Sequence, residues 1–259
     1  MAEAGQAVLV SSFTLAGAMS PVTIEGTLAQ QNAEVLAGIV LAQIVRPGAP
    51  VVYGSFTSNV DMKTGSPALG TPEYTRAAIV SGQLARRYNV PYRTSNASSS
   101  NTVDAQAIYE SQMSIWGAIL GGVNILFQGH GWMESGLTMS FEKMIIDSDM
   151  LQMITESMKP LSISKDTLGL DAIDEVGSGG HFFGTSHTLE RYRNAFYTPM
   201  VSDWRNYEAW EEDGGRDATA RANTVWKKLL EQYSPPPLEP ERRDAISRYV
   251  AHRKEQIGG

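Results

Sequence analysis

The chain has 259 residues, a length that suits one large α/β domain or a core domain with an extension. It contains no cysteine, which excludes disulfides, thiol nucleophiles and zinc–thiolate sites. Its formal net charge of -7 argues against a nucleic-acid partner, because phosphate binding needs clustered lysine and arginine.

Short apolar runs predict four buried strands, at residues 7–12, 51–54, 90–94 and 123–127. A polar loop follows each run, and then apolar residues recur at helical spacing. The predicted helices cover residues 23–45, 71–88, 103–120 and 137–158. The second of them opens with Thr71 as N-cap and Pro72 in the first turn. This alternation is typical of βα units with a parallel sheet.

The loops that follow the strands are long and polar, whereas the connections from helix to strand are short. A (β/α) barrel shows this asymmetry when its functional face carries the long loops. A closed barrel needs eight strands, and only four are predicted. The chain is therefore expected to be an α/β protein with TIM-barrel-type (β/α) units, forming either a partial barrel or an open sheet.

No strand pattern follows Lys159 and Pro160. Helices are predicted at residues 164–176, 188–196, 221–233 and 240–256. We therefore predict two parts. Residues 1–158 form the barrel portion with a substrate mouth, and residues 159–259 form a helical extension packed on it.

The densest cluster of reactive side chains lies between Gly121 and Leu137. There the fourth strand runs into a loop that carries Gln128, His130, Trp132 and Glu134. Parallel α/β folds place their sites at the carboxyl ends of the strands, so this loop is the first candidate for a site. Two structural roles stay open, because Glu134 could cap the next helix and Gln128 could satisfy a buried backbone group.

Several other site types are not predicted. The four histidines show no HxxxH, HEXXH or HxH spacing, so no metal site is expected. No GxSxG motif follows a strand, and the glycines of residues 177–180 follow a helix, which argues against dinucleotide binding. No apolar run reaches the roughly 18 residues of a membrane span, and no signal peptide is recognised. A cytoplasmic protein without a membrane partner is expected.

Aromatic residues cluster in or just after the predicted strands: Tyr53, Phe56, Tyr92, Phe127 and Trp132. Acidic residues lie in the loops beside them: Asp61, Asp104 and Glu134. Ring faces attract ammonium groups, and quaternary ammonium is the usual ligand of such an aromatic cage. The set therefore suits a small cationic ligand, although each ring could also fill the core.

Three segments resemble the carboxyl-terminal half of the trimethylamine methyltransferase (MttB-like) family. They read GHGWMESGLTMSFEKMIIDSDMLQM, DAIDEVGSGGHFFGTSHT and YSPPPLEPERRDAISRYVAHRK. Two earlier segments resemble the same proteins, LAQQNAEVLAGIVLAQIVRPGAPVVYGSFTSNVDMKTG and TPEYTRAAIVSGQLARRYNVPYR. The resemblance covers nearly the whole chain from Phe13 onward.

This resemblance implies a TIM-barrel enzyme that moves a methyl group from an amine to the cobalt of a separate corrinoid protein. All residues are standard, so the chain looks like the branch without pyrrolysine, which includes glycine betaine methyltransferases. The implied cofactor is a corrinoid (cobalamin) on a partner protein, with no metal bound by this chain. Family members are longer, and their amino-terminal half would complete the barrel. The chain is therefore expected to be a fragment or one part of a split protein.

On this interpretation the aromatic cage comprises Tyr53, Phe56, Tyr92 and Trp132. Glu134 or Asp104 would balance the ammonium charge, and Arg93 would bind a carboxylate unless it forms a structural ion pair. His130 and Gln128 would orient the substrate carboxylate or contact the corrin. The resemblance implies a histidine directly after the fourth strand, where this sequence has Gln128.

Two other functions stay open. The chain could be an inactive or incomplete half barrel that binds a cationic ligand, a partner chain or a second copy, since open sheet edges must be covered. It could also be an unrelated sugar- or phosphate-handling α/β enzyme. The small number of basic residues near the loops argues against that third possibility.

Overall fold

A computed structural model describes residues 1–258. Its main sheet contains the parallel strands β1 (Val8–Ala16), β2 (Val51–Val60), β4 (Tyr92–Ser95) and β5 (Ile125–Phe127), in the order β1-β2-β4-β5. The two-residue strand β3 (Pro67–Ala68) pairs antiparallel with the end of β2. The parallel sheet is confirmed, and closure into a barrel stays a prediction because β1 and β5 are open edges among the described strands.

Four long helices alternate with these strands: α1 (Ile24–Val45), α2 (Pro72–Arg87), α3 (Ala105–Leu120) and α4 (Phe141–Ser157). A side chain caps the start of each one, supplied by Thr23, Thr71, Asp104 and Ser140. Each cap accepts a hydrogen bond from a backbone N–H that has no partner within the helix. The predicted cap at Thr71 is therefore confirmed.

The predicted helix over residues 137–158 starts too early. Two of its first residues instead form strand β7 (Thr138–Met139). This strand pairs with β6 (Trp132–Met133) in a hairpin, with a 3-10 turn at Glu134–Gly136 between the two strands. Ser140 caps α4, so the suggested capping role of Glu134 is wrong. The hairpin strands are only two residues long, too short for a recognisable alternation in the sequence.

Strand β2 continues six residues beyond its predicted end at Gly54. The continuation is rich in Ser, Thr and Asn, which favour loops. Here those side chains are buried, and they find partners. Ser55 and Thr57 donate hydrogen bonds to Gln31, and Ser58 donates to the carbonyl of Ala68. Satisfied hydroxyl groups allow a polar segment to form a buried strand.

Gln31 of α1 is the centre of a buried polar network between the sheet and its helices. Its amide nitrogen donates to Tyr53 Oη at 3.1 Å and to Ser81 Oγ at 2.9 Å. Its amide oxygen accepts from Ser55, Thr57 and Ser81. One side chain thus joins α1, β2 and α2.

The two faces of the sheet differ sharply. One face packs on α1 to α4 and includes Tyr53 and Tyr92, which are cross-strand partners. We call the other face the inner face; it carries a row formed by Ser11, Gly54, Arg93 and Ile125. Four of its apolar side chains are poorly covered, since Leu9, Phe13, Ile125 and Phe127 are 41%, 44%, 39% and 51% exposed. The inner face is therefore the less covered side of the sheet.

The extension contains six further helices: α5 (Lys165–Leu168), α6 (Leu170–Val176), α7 (Ser186–Arg191), α8 (Tyr207–Glu212), α9 (Ala218–Glu231) and α10 (Pro240–Ile257). The predicted helix at residues 164–176 is divided at Gly169, which has a φ of 60°. α8 was not predicted. α9 packs against α4, whereas every described residue of α10 is exposed.

Two carboxylates of α4 connect the extension to the core. Asp149 accepts from the backbone N–H groups of Met200 at 2.7 Å and of Val201 at 3.2 Å. Glu142 accepts from Asn223 Nδ2 at 2.7 Å and from Trp226 Nε1 at 2.8 Å. The extension is thus anchored by hydrogen bonds as well as by apolar packing.

By length and composition, α1 alone among helices of residues 1–258 could cross a membrane, with a mean hydropathy of 1.2. One such helix is weak evidence for a span. α1 packs on β1, β2 and α2 through one side. Its outward side still exposes Val40, Leu41 and Ile44.

We expect Gln31→Met to lower the free energy of unfolding by about 2–4 kcal/mol, because it leaves several buried hydroxyl groups without a partner. The matched control is Gln83→Met on the exposed side of α2, with an expected change of at most about 0.5 kcal/mol. Urea unfolding measures both. Equal effects of the two substitutions would contradict the role assigned to Gln31.

The hydrogen bonds from Asn223 and Trp226 lower the pKa of Glu142 to about 2. A carboxylate with a lowered pKa in the fold stabilises it above its unfolded pKa, about 4.3, and this stabilisation is lost as the pH falls towards the folded pKa. We expect Glu142→Gln to lower the unfolding temperature at pH 7, with a difference that shrinks between about pH 4.3 and pH 2. Thermal scans across this range test it, and Glu241→Gln on exposed α10 should show no such trend.

Candidate functional site

The loops after β2, β4 and β5 enclose a cavity of about 420 Å³ at the carboxyl ends of the strands. Its lining includes Asp61, Ser99, Asn101, Glu134 and Leu137. The position is the one at which parallel α/β folds carry their sites. The volume suits a small organic molecule.

A larger cavity, of about 630 Å³, lies elsewhere. It is formed by α1 and α2 and is lined by residues such as Leu28, Arg76, Val80 and Leu84. These residues belong to the helices on the outer side of the sheet. Its lining is mostly aliphatic, with Glu25 and Arg76 as the charged residues. It lies between two helices and not at the carboxyl ends of the strands, so the cavity at the strand ends is the better candidate.

Hydrogen bonds tie the three loops together around Ser99. Its hydroxyl accepts from the backbone N–H of Leu69 at 2.7 Å and lies 3.1 Å from Ser135 Oγ. Ser135 Oγ in turn donates to the carbonyl of Pro67 at 2.7 Å. These bonds hold the cavity wall in one arrangement.

Glu134 is the carboxylate best placed to meet a ligand. It lines the cavity, and its side chain makes no hydrogen bond or ion pair within residues 1–258. Glu134 and Ser135 have φ angles of 49° and 56°, a left-handed conformation that is costly for residues other than glycine. Their N–H groups donate to Ser100 O at 3.0 Å and to Ser98 O at 2.9 Å, which holds this conformation.

The other predicted acidic groups are engaged locally. Asp61 lines the cavity but accepts from Thr64 Oγ1 at 2.7 Å, and this bond, with that of Lys63 N–H, lowers the pKa of Asp61. Asp104 caps α3 and accepts from Thr102 Oγ1 at 2.8 Å, which likewise lowers the pKa of Asp104. Asp104 does not line the cavity, so the structure assigns it the role of a helix cap and not that of a charge partner.

Aromatic rings lie on the inner face of the sheet. Phe56 stacks on Phe13 with 5.2 Å between ring centroids, and the guanidinium of Arg93 lies 4.5 Å above the ring of Phe127. Phe56 and Arg93 were both predicted. Phe13 was missed, because the first strand was expected to end at Ser12; alternation along a longer β1 would have placed Phe13 beside Phe56.

Arg93 is only 7% exposed and forms no ion pair within the described residues. Its Nη1 donates to Ser11 Oγ at 3.2 Å, and its Nε has no partner. Burial lowers the pKa of Arg93, which remains charged at neutral pH. The alternative of an ion pair with another described residue is therefore not realised, and a guanidinium is left to bind an anion.

Tyr53 and Tyr92 do not join this group. Both are fully buried and point away from the inner face, towards α1 and α2. Tyr53 Oη contacts Gln31 and burial raises the pKa of Tyr53 to about 12, while Tyr92 Oη donates to Ala78 O at 2.8 Å. Successive strand residues point to opposite faces, so Tyr53 and Phe56 cannot lie on one side of β2. The structure makes both tyrosines core residues.

The remaining predicted residues occupy the loop after β5. Gln128 is half-buried and left-handed with a φ of 53°, and His130 is exposed. Trp132 is half-buried in β6 opposite Met139. None of the three lines the 420 Å³ cavity, whereas Glu134 does. No group of three His, Asp or Glu within residues 1–258 is arranged to hold a metal.

A buried ion pair, missed by sequence reasoning, supports this loop from below. Lys143 Nζ lies 2.6 Å from Asp147 Oδ2, and both side chains are fully buried. Asp147 also accepts from the N–H of Gly131 at 2.9 Å, and burial raises its pKa despite the ammonium group. The only signal was a Lys and an Asp four residues apart on a helix, a spacing that is usually found on solvated surfaces.

Comparison with known proteins gives a consistent result. The family profile described as "Trimethylamine methyltransferase (MTTB)" matches residues 1–258. The chain is 42% identical to a glycine betaine methyltransferase of Desulfitobacterium hafniense (strain Y51) over 99% of this chain and 54% of that protein.

Two trimethylamine methyltransferases are also similar. MttB of D. hafniense (strain DSM 10664 / DCB-2) is 35% identical over 100% of this chain and 52% of its own length. MttB2 of Methanosarcina mazei is 36% identical over 91% and 47%, respectively. The chain thus spans about half the length of the curated relatives it matches.

We expect Lys143→Met to destabilise the protein by about 3–5 kcal/mol, because it leaves the Asp147 carboxylate buried without its cation. Lys159 offers a matched control, since its pair with Glu156 has the same 2.6 Å separation but is 65% and 42% exposed. Lys159→Met should change the free energy of unfolding by less than about 1 kcal/mol in urea titrations. Similar losses for both variants would contradict a special role of burial.

Proposed function

Because the chain belongs to the trimethylamine methyltransferase (MTTB) family, we propose that it transfers a methyl group from a quaternary, betaine-like amine to the cobalt of a corrinoid protein. Its family and relatives support methyl transfer from an amine. The observation that carries the proposal is a pair of unmatched charges. Glu134 faces the cavity without a cation, and Arg93 lies on the inner face without an anion.

The ammonium end of the substrate would meet rings and a carboxylate. A quaternary nitrogen has no hydrogen to donate, so it is recognised by the faces of aromatic rings and by negative charge. Phe13, Phe56 and Phe127 on the inner face would supply the rings, and Glu134 in the cavity at the strand ends would supply the charge. The three rings do not line that cavity, so the ligand would extend from it onto the inner face. This set replaces the cage of Tyr53, Phe56, Tyr92 and Trp132, of which only Phe56 remains.

The carboxylate end would bind to Arg93. A guanidinium favours carboxylates through paired N–H donors, and burial strengthens the interaction. Arg93 Nε has no partner and lies beside the ring of Phe127, so an anion there would stand next to the aromatic set. This residue favours a betaine over trimethylamine, which has no carboxylate.

The corrinoid, when its carrier protein is docked, would supply a strongly nucleophilic cobalt centre. The residues of this chain would bind the amine, orient one N-methyl group towards the mouth and exclude water. The positive nitrogen already makes methyl a good leaving group, so no covalent residue is required. Leu137 lines the cavity, and Met139 and Phe141 follow it in the chain. All three are exposed apolar residues that would suit contact with a flat macrocycle or its carrier. His130, Gln128 and Trp132 lie in the same loop and are proposed to join that contact, in the cytoplasm.

A second candidate is supported by the uncovered inner face. Leu9, Phe13, Ile125 and Phe127 are exposed, and β1 and β5 are open edges. The chain would then be an incomplete half that is inactive until another chain segment or a second copy covers this face.

Methyl transfer to free Co(I) cobalamin, followed by absorbance, tests the first candidate with a panel of betaines and tetramethylammonium. We expect Arg93→Met to reduce transfer from glycine betaine by roughly 10–100-fold, the loss of a hydrogen-bonded charge, and to leave tetramethylammonium much less affected. Tyr92→Phe is the control, since Tyr92 is a core residue. Absence of transfer from every amine, with folded protein, would exclude the first candidate.

Analytical ultracentrifugation tests the second candidate. We expect an incomplete half to associate with itself or to bind the part of the D. hafniense glycine betaine methyltransferase that the chain does not match. A stable monomer that does not bind this part of the relative and still transfers methyl groups would exclude the second candidate.

A further inference from the structure

Glu110 of α3 is a buried carboxylate to which no function has been assigned above. It is 8% exposed, and no lysine or arginine pairs with it within residues 1–258. A buried charge without a counter-ion costs free energy unless hydrogen bonds replace its hydration. The hydrogen-bond donors around the carboxylate therefore indicate what Glu110 does.

The donors come almost entirely from one loop. Glu110 Oε2 accepts from Ser98 Oγ at 2.8 Å, Ser99 N at 2.8 Å and Ser100 N at 3.0 Å. Its other oxygen accepts from Gln106 Nε2 at 2.8 Å. One carboxylate therefore holds three consecutive residues after β4, through the hydroxyl of Ser98 and the backbone N–H groups of Ser99 and Ser100. Charge-assisted bonds of this kind are stronger than neutral ones.

The same loop segment holds Glu134. The N–H of Ser135 donates to the carbonyl of Ser98, and the N–H of Glu134 donates to the carbonyl of Ser100. Ser99, which lies between the two carbonyls in sequence, contacts the loop after β2. Both N–H groups belong to residues with left-handed backbone. Such backbone persists only where its surroundings fix it, so the position of the loop determines that of Glu134.

Gly70 allows the loop after β2 to approach Glu110 closely. A Cβ atom at Gly70 would lie 2.4 Å from Glu110 Cβ, and the φ of Gly70 is 75°. The neighbouring N–H of Leu69 donates to Ser99 Oγ at 2.7 Å. Two cavity loops thus meet at Glu110, which itself does not line the cavity.

We infer that Glu110 is a positioning residue: it sets the place of the Glu134 carboxylate in the cavity and hence the affinity for a cationic substrate. The inference rests on the proposed function in one respect, that Glu134 is the partner of the ammonium group. The geometric part, from Glu110 through residues 98–100 to Glu134, can be tested without any ligand.

Amide hydrogen exchange tests the geometric part with Glu110→Gln. A glutamine has a similar shape but presents an NH₂ group to one of the donors, so the loop loses part of its anchor. We expect faster exchange in a peptide covering Met133–Gly136. Glu142→Gln, which loosens the extension, is the control and should leave this peptide unchanged. Unchanged exchange in Glu110→Gln would overturn the inference.

Calorimetric titration with tetramethylammonium tests the functional part. We expect Glu110→Gln alone to bind tetramethylammonium about tenfold more weakly, because one charge partner of the cation is no longer held in place. In a Glu134→Gln background, Glu110→Gln should add no further loss, because its effect passes through Glu134. Additive losses, or no loss in the normal background, would overturn the inference.

The two failures are distinguishable. If the unsubstituted protein neither binds tetramethylammonium nor transfers methyl groups, the proposed function fails, and hydrogen exchange still decides whether Glu110 holds Glu134. If the unsubstituted protein binds the cation and Glu110→Gln binds it equally well, the proposed function stands and the role of Glu110 falls.

Discussion

The alternation of side chains along parallel strands is the constraint on which the rest of this structure depends. Each residue of β2 and β4 faces either the helices or the inner face, and no loop movement can change that choice. Tyr53 and Tyr92 therefore join Gln31 in the core. Phe56 and Arg93, three and one residues further along, face the opposite side with Phe13 and Phe127.

Polar groups hold the functional end of the molecule together where apolar packing is sparse. Gln31 joins the sheet to two helices, Asp147 supports the loop after β5, and Glu110 supports the loop after β4. A hydrogen bond is directional, so each of these groups fixes a position more closely than an aliphatic contact would. Substitution of one hydrogen-bonding side chain has a high cost in stability, because it leaves the other polar group buried without a partner or water. The same arrangement that stabilises the cavity thus makes it sensitive to single substitutions.

The βα rhythm and the N-cap at Thr71 are predictable from the sequence, because both rest on local patterns; the roles of Glu134 and Arg93 stay predictions. It does not indicate which strand residues share a face, since that depends on where each strand begins and ends. A polar stretch such as Ser55–Val60 resembles a loop until Gln31, distant in sequence, satisfies its hydroxyl groups. Likewise Glu110 resembles a solvated helix residue, and only the fold brings Ser98, Ser99 and Ser100 to its carboxylate.

The inner face also limits what can cover it. Its described positions on β1, β2, β4 and β5 carry phenylalanine, isoleucine, leucine, valine, serine and glycine, with Arg93 as the charged group and no carboxylate. A second copy facing the first would bring two buried guanidinium groups together without an anion, an arrangement that like-charge repulsion and desolvation both oppose. A segment of different sequence could offer apolar side chains and leave Arg93 to a ligand. The charge pattern of the inner face therefore favours cover by a segment of different sequence, and it leaves Arg93 without a counter-ion among the described residues.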